Sequence, residues 1–133
     1  MFSHGYTFPL TPPEGDKGKY SLVGSSVGKY MKANGYEKVG YDYILAGGAS
    51  DEKNVKENDV MIFFKADGTS CVHSCIVKSV VFKGNVIDID KSFVKTKNGV
   101  RPVDENQSFN TVIGTYIPDS AGAARKFEYY RKK

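Results

Sequence analysis

Three stretches in the middle of the chain have the pattern of β-strands: the first is an apolar run that ends in a charge, the second is rich in Val, Ile and Cys, and the third alternates with a period of two. They cover residues 59–65, 70–82 and 86–90, and they are rich in Val, Ile and Phe. Side chains on a strand point to opposite faces in turn, and β-branched and aromatic residues are favoured there. Turn-forming residues at 66–68 and 83–85 separate the three stretches. The pattern therefore predicts an antiparallel meander of three strands.

Upstream of this meander, apolar residues recur at the spacing of an amphipathic helix over residues 21–33. Asn34 and Gly35 follow as the expected stop signal at its end. A short strand is expected over residues 36–45. The polar, Gly-rich stretch 46–58 is expected to form a surface loop.

Downstream of the meander the pattern is weaker. Residues 92–109 are polar and show no clear period, so they are expected to be irregular. The run TVIGTYI at 111–117 predicts a strand, because it is apolar and rich in β-branched residues. Residues 126–130 fit either a last strand or the continuation of a short helix.

The 133 residues are enough for one domain with its own hydrophobic core, and we expect a single domain over residues 1–133. The net charge of +4 is mixed and spread out, apart from a basic cluster at the C-terminus. Such a charge pattern lacks a basic face, so no nucleic-acid partner is expected. No apolar run approaches the roughly 20 residues of a membrane span, and the polar start MFSHGY is unlike a signal peptide.

Cys71 and Cys75 lie four residues apart on the second predicted strand. Their Cα atoms should be roughly 13 Å apart on an extended strand, whereas a disulfide spans about 7 Å at most, so both are expected to be free thiols. With His73 they form a Cys-x-His-x-Cys pattern. Strand spacing spreads these three side chains too far to bind one ion, so no metal and no cofactor is expected.

His73, one of two histidines in the chain, is the candidate general base. The next predicted strand carries Asp88 and Asp90 on one face, and a carboxylate held beside an imidazole can orient it for proton transfer. Both are candidate orienting residues. The competing interpretation is a packed core histidine, with both aspartates as solvated charges of an edge strand.

Two motifs in this region resemble a known family. The run NDVMIFF from residue 58, followed by HSCIV from residue 73, is similar to the G-D-[IV]-[IV]-F-F and H-[SV]-[AG]-[IV]-V signatures of papain-like cysteine hydrolases. These are CHAP-type and NlpC-type amidases and peptidases, and they include papain-like domains of bacterial polymorphic toxins. The resemblance implies an α+β fold of papain-like or CHAP-like type, with an N-terminal helical part packed on a small antiparallel β-sheet. Asn58 departs from the family pattern, which usually has Gly there. The resemblance favours Asp90 as the residue that orients His73, with Asp88 as the alternative, because Asp90 is nearer to the family's usual spacing from the histidine.

The segment SHGYTF from residue 3 resembles the C-H-[GS]-Y-[AT]-[FW] motif of the toxin-like branch, in which Cys is the nucleophile. Ser3 occupies that position here, either as a natural variant or as an engineered replacement. The resemblance implies that Ser3 donates its backbone N–H to an oxyanion hole and that His4 and Tyr6 line the substrate cleft. A serine hydroxyl is far less acidic than a thiol, so hydrolysis is expected to be weak or absent.

The resemblance thus implies an amide-bond hydrolase of bacterial type, either a toxin or effector or a cell-wall hydrolase. Its substrate would be a peptide, a protein or peptidoglycan. An immunity or inhibitor protein is an expected partner of the toxin-like branch, which acts as a secreted or delivered domain. The alternative is a catalytically inactive binding module that holds a protein or glycan in the same cleft. A third interpretation is a small β-rich domain in which the resemblance is accidental.

Overall fold

The computed structural model describes residues 27–43, 48–65, 71–97, 103–116 and 124–133. These residues contain two helices, α1 (Val27–Ala33) and α2 (Phe109–Tyr116). The strands are β1 (Tyr36–Asp42), β2 (Ser50–Asp51), β3 (Val60–Lys65), β4 (Cys71–Ser79), β5 (Phe82–Lys83), β6 (Val86–Ile87), β7 (Phe93–Lys97), β8 (Val103–Ser108) and β9 (Ala124–Lys132).

Seven of the described strands form one antiparallel sheet in the order β2-β1-β9-β3-β4-β7-β8, and β5 and β6 form a separate hairpin. The last strand in sequence, β9, lies in the interior of the sheet between β1 and β3. It pairs with both neighbours along most of its length, so that Tyr129 lies opposite Gly40 on one side and Met61 on the other. The sheet is therefore complete only when residues 124–132 have docked.

The sheet buries apolar side chains on both faces. Alternation along β3 sends Met61 and Phe63 to one face and Ile62 and Phe64 to the other. The smaller core includes Met31 of α1. The larger core includes residues of α2 and is formed by Val55, Met61, Phe63, Cys75, Val77, Ile87, Val94, Phe109, Val112, Phe127 and Tyr129. The strand β3 therefore reads as a nearly continuous apolar run, because both of its faces are covered.

The helix α2 begins where a serine satisfies its free amide groups. Ser108 Oγ accepts a hydrogen bond from the backbone N–H of Thr111 at 3.1 Å, as an N-cap residue does. The N–H groups of Phe109 and Asn110 donate to backbone carbonyls at 2.9 Å each. Phe109 and Val112, three residues apart, then face the large core.

Two predicted turns have the backbone conformation that their residues favour. Gly84 adopts a φ of 67° in the turn between β5 and β6, and Gly35 adopts a φ of 77° directly after α1. Asn58 has a φ of 73°, a region where Gly and Asn are favoured over other residues. This conformation explains why Asn can stand where the resembled motif has Gly.

The predicted fold class is wrong. The described residues form mostly antiparallel β-sheet with two short helices, rather than an α+β fold of papain-like or CHAP-like type with an N-terminal helical part on a small sheet. Residues 92–109, expected to be irregular, form β7 and β8 and widen the sheet. Residues 111–117, expected to be a strand, lie mostly in α2, because the Ser108 cap and the burial of Val112 outweigh the strand propensity of the run.

The predicted meander is only partly correct. The structure confirms strands near 59–65 and 70–82, but the second strand ends at Ser79. The stretch expected to be the third strand contributes only Val86–Ile87, which pairs with Phe82–Lys83 in the separate hairpin. The neighbour of β4 in the main sheet is instead β7.

Gly40 offers a test of the packing between β1 and the loop that follows β2. A Cβ atom at Gly40 would lie 2.9 Å from Val55 Cγ2 and 3.0 Å from the backbone oxygen of Asp51. We expect Gly40→Ala to lower the free energy of unfolding by about 1–3 kcal/mol in urea denaturation, because neither neighbour can move without disturbing the core.

Gly114 in α2 provides the matched control, because a Cβ there would meet nothing within 4 Å. Gly114→Ala should raise the free energy of unfolding by about 0.5–1 kcal/mol, since Ala is the better helix former. Equal effects of the two substitutions would contradict the described contact at Gly40.

Candidate functional site

His73 lies on β4 with its side chain directed into the large core. Its exposed fraction is 1%, and its ring centroid lies 6.1 Å from that of Phe63 on the adjacent strand. The register places the two residues directly opposite each other. The candidate base is therefore held by strand pairing and packing on the sheet face that also carries Cys75.

The hydroxyl of Thr96 on β7 is bonded to this imidazole. Thr96 Oγ1 lies 2.6 Å from His73 Nε2, and Thr96 is fully buried. The pairing of Ile76 with Lys95 sets this register, since it places Thr96 across from the strand segment that follows His73. Burial between two strands leaves the pair little freedom, so the hydrogen bond fixes the plane of the ring.

Sequence reasoning missed Thr96 because residues 92–109 were expected to be irregular. The alternation of Val94 and Thr96 on one side with Phe93 and Lys95 on the other is the signal that could have predicted β7. The contact itself could not be predicted, since it depends on which strand pairs with β4.

The structure does not bring Asp88 or Asp90 to His73. Asp88 donates its backbone N–H to the carbonyl of Val81 at 2.8 Å, and its Oδ1 accepts the N–H of Asp90 at 3.1 Å. Both aspartates follow the hairpin beyond the far end of β4, and Asp90 is exposed. From His73 to Ser79 the strand alone extends for roughly 20 Å. Neither aspartate is hydrogen-bonded to His73 among the described residues, whereas Thr96 is.

Three of the predicted site residues have no described position. Ser3, His4 and Tyr6 lie outside the described residues. Their convergence with His73 stays a prediction.

The two cysteines are free and buried, as predicted. Cys71 belongs to the small core and Cys75 to the large one, so the two thiols face opposite sides of the sheet. Burial raises the pKa of Cys71 to about 12, and burial also raises the pKa of Cys75. Neither thiol is suited to act as a nucleophile near neutral pH. Within the described residues no group of three or more His, Cys, Asp or Glu side chains is placed to hold a metal ion.

The aspartate of the first resembled motif has a structural partner on β9. Asp59 is 1% exposed on its side chain and accepts two hydrogen bonds from Arg131, from Nε at 2.7 Å and from Nη2 at 2.8 Å. Its Oδ2 also accepts the backbone N–H of Lys56 at 2.8 Å. The paired geometry is the strong bidentate form of an arginine–carboxylate contact. Asp59 therefore acts as an anchor for the sheet.

A second titratable site lies next to the edge strand β2. Glu52 is 6% exposed, and its Oε2 accepts a hydrogen bond from the hydroxyl of Tyr129 at 2.9 Å. Burial raises the pKa of Glu52 to about 7, the negative charge of Asp42 adds to this shift, and the bond from Tyr129 opposes it. A carboxyl with a pKa near neutrality is a candidate functional group. Sequence reasoning placed Glu52 in a surface loop and did not single it out.

No helix in the described part of the chain is long and apolar enough to cross a membrane. Comparison of the chain with protein-family models, with curated proteins and with solved structures finds no match in any of the three.

The raised pKa of Glu52 predicts a pH dependence of stability. The folded protein holds a proton on Glu52 that the unfolded chain releases, between a pKa of 4.5 and one of about 7. The free energy of unfolding should therefore fall as pH rises through this window, by about 1–2 kcal/mol. Glu52→Gln should flatten this part of the profile in urea denaturation at pH 4.5 to 8.

Glu57→Gln is the matched control, because Glu57 is an exposed carboxylate in the same loop. It removes the same charge but should retain the slope. A slope that persists unchanged in Glu52→Gln would show that other groups produce it.

Proposed function

We propose that this chain is an amide-bond hydrolase domain in which His73 is the general base and Ser3 occupies the nucleophile position. Thr96 is the residue that positions the imidazole. The observation that supports this proposal is the buried bond of 2.6 Å between His73 Nε2 and Thr96 Oγ1. A buried imidazole bonded to a fixed hydroxyl is held in a defined orientation, as a base requires. The resemblance of residues 58–64 and 73–77 to cysteine hydrolases supplies the reaction class.

In the proposed reaction, the imidazole of His73 takes a proton from the side chain at position 3. The deprotonated oxygen, or the sulfur of a cysteine form, attacks the carbonyl carbon of an amide. The backbone N–H of Ser3 stabilises the tetrahedral oxyanion. The C–N bond then breaks, and His73 returns the proton to the leaving nitrogen. Water hydrolyses the resulting acyl-enzyme with the same base.

The proposed substrate is a peptide, a protein side-chain amide or a peptidoglycan cross-bridge, as the resemblance implies. His4 and Tyr6 would contact it next to the nucleophile. An immunity or inhibitor protein that covers the cleft, and a role as a secreted or delivered bacterial domain, belong to the same proposal. These parts follow from analogy with the resembled family alone.

A catalytically inactive binding domain is the second candidate. Ser3 lacks the acidity of a thiol, and His73 has an exposed fraction of only 1%. Such low exposure is typical of a packed structural residue rather than of a base that contacts a substrate. In this candidate the His73–Thr96 pair shapes the sheet, and the chain holds a protein or glycan without cleaving it.

The first test restores a thiol at the nucleophile position. In Ser3→Cys, a thiol beside His73 should react with a limiting alkylating reagent with half-maximal rate near pH 6–7, below the ordinary thiol pKa of about 8.5. Unsubstituted protein is the control for background labelling, because Cys71 and Cys75 are buried. Mass spectrometry of the labelled peptide measures the rate at each pH.

Removal of His73 distinguishes a thiol activated by this imidazole from an ordinary thiol near the chain terminus. In Ser3→Cys/His73→Gln the midpoint should return to about pH 8.5, because an amide can still bond to Thr96 but cannot accept the proton. Circular dichroism checks that this variant is folded. A midpoint near 8.5 in Ser3→Cys, unaffected by His73→Gln, would rule out the hydrolase proposal and leave the binding domain.

The role of Thr96 is tested in the Ser3→Cys background. Thr96→Val keeps the shape of the side chain but removes the hydroxyl, and it should move the labelling midpoint upward. It should also lower the free energy of unfolding by about 1–3 kcal/mol, because His73 Nε2 loses its buried partner. Thr96→Ser retains the hydroxyl and should retain the midpoint. Loss of stability without any change of midpoint would mean that Thr96 is structural only.

A further inference from the structure

Three acidic side chains in the described residues are buried, and they differ in how their charge is compensated. Asp59 forms the bidentate pair with Arg131. Glu128, on the other face of the sheet, accepts hydrogen bonds from the hydroxyls of Tyr43 and Tyr130, and Lys38 Nζ lies 3.5 Å from it. The third, Glu52, has no cationic partner among the residues that the structure describes.

Glu52 has one oxygen available for a further hydrogen bond. Its Oε2 accepts the hydroxyl of Tyr129 at 2.9 Å. No side chain or backbone amide in the described part of the chain donates to its Oε1. Lys53 is exposed and forms no ion pair with Glu52 among the described residues. A carboxylate that is 6% exposed and lacks a cation is costly to ionise, so a cation supplied by a ligand would be strongly favoured there.

A cleft of about 380 Å³ is lined in part by Glu52. It lies between the β2 segment and the tip of the β5–β6 hairpin. Its lining is largely polar and consists of Tyr41, Ser50, Asp51, Glu52, Lys53, Asn85 and Val86. The described residues thus place a partly satisfied buried carboxylate, a second carboxylate, a hydroxyl and an amide around one opening.

We propose that this cleft binds a primary ammonium group, such as the side chain of a lysine presented by a peptide or protein. Glu52 Oε1 is the proposed acceptor, and Asp51, Ser50 and Asn85 supply further oxygen atoms around the cleft. The site is independent of the proposed hydrolase site. Four strand spacings separate β2 from β4, about 19 Å across the sheet.

The geometry favours an ammonium ion over a guanidinium ion. Guanidinium binds a carboxylate best through two parallel hydrogen bonds, and Tyr129 already occupies one oxygen of Glu52. An ammonium ion is a compact charge with three donors that can bond to separate oxygens. A neutral ligand of the same shape would leave the Glu52 charge uncompensated.

The charged groups around Glu52 set the pH dependence of this binding. Tyr129 bonds to it from β9, Asp42 lies near it on β1, and Asp51 and Lys53 flank it in sequence. Ionisation of Glu52, whose pKa is about 7, is required for the attraction. Binding should therefore weaken as pH falls through neutrality.

The test titrates the protein with Nα-acetyl-lysine methylamide and follows the backbone amide signals of residues 50–53 and 85–86 by nuclear magnetic resonance. We expect saturable shifts at pH 8, with at least about tenfold weaker binding at pH 5.5, where Glu52 is largely protonated. The norleucine analogue has the same stem without the charge and should cause no saturable shifts. The arginine analogue should bind more weakly than the lysine analogue.

Three variants test whether Glu52 carries the binding. Glu52→Gln should weaken binding at pH 8 by at least about tenfold, while its side-chain oxygen can still accept the Tyr129 hydroxyl and preserve the fold. Glu57→Gln removes an exposed charge nearby and should leave binding unchanged. Asn85→Ala, at the exposed rim, should weaken binding to a smaller extent. The proposal is overturned if the lysine analogue causes no saturable shifts, or if Glu52→Gln binds it as tightly as the unsubstituted protein.

Discussion

The contact between Asp59 and Arg131 joins the middle of the sequence to its last strand, and the sheet depends on it. Asp59 precedes β3 and is buried, while Arg131 lies near the end of β9 and reaches it through two short hydrogen bonds. A buried carboxylate without its partner would carry the full cost of desolvation. The pair therefore favours only those arrangements in which β9 lies beside β3. With β9 in place, β1 gains its neighbour and both cores close.

The same arrangement places polar side chains on covered faces of the sheet, where each needs a partner. His73 finds Thr96 across the β4–β7 pair, and Glu52 finds Tyr129. In both cases one residue comes from an internal strand and is held tightly by packing. A polar pair in a low-dielectric core is well defined in position. A base and a charge-binding carboxylate both require a fixed side-chain position. This requirement explains why the two candidate sites lie where strands meet.

The resembled motifs have physical reasons of their own in this sheet. The run begins with Asn58, whose backbone has a left-handed conformation with positive φ. Asp59, which pairs with Arg131, follows, and the next residues form a strand that is buried on both faces. Each of these features would be retained in a protein that binds without catalysis. The structural roles of these residues are therefore enough to explain the motif without catalysis. The hydrolase proposal depends on the additional position of His73 against Thr96.

Local patterns in the sequence determined β3 and β4, the turn at Gly84 and the end of α1 at Gly35, because periodicity and backbone preference act over a few residues. They also identified His73 and the free cysteines. Only the tertiary structure decided that Thr96, and not Asp90, is the partner of His73, because this depends on β7 pairing with β4. It likewise converted the strand-like run at 111–117 into α2 through the Ser108 cap, and it buried Glu52 against Tyr129. Strand pairing joins residues that are distant in sequence, and no local pattern records which of them will meet.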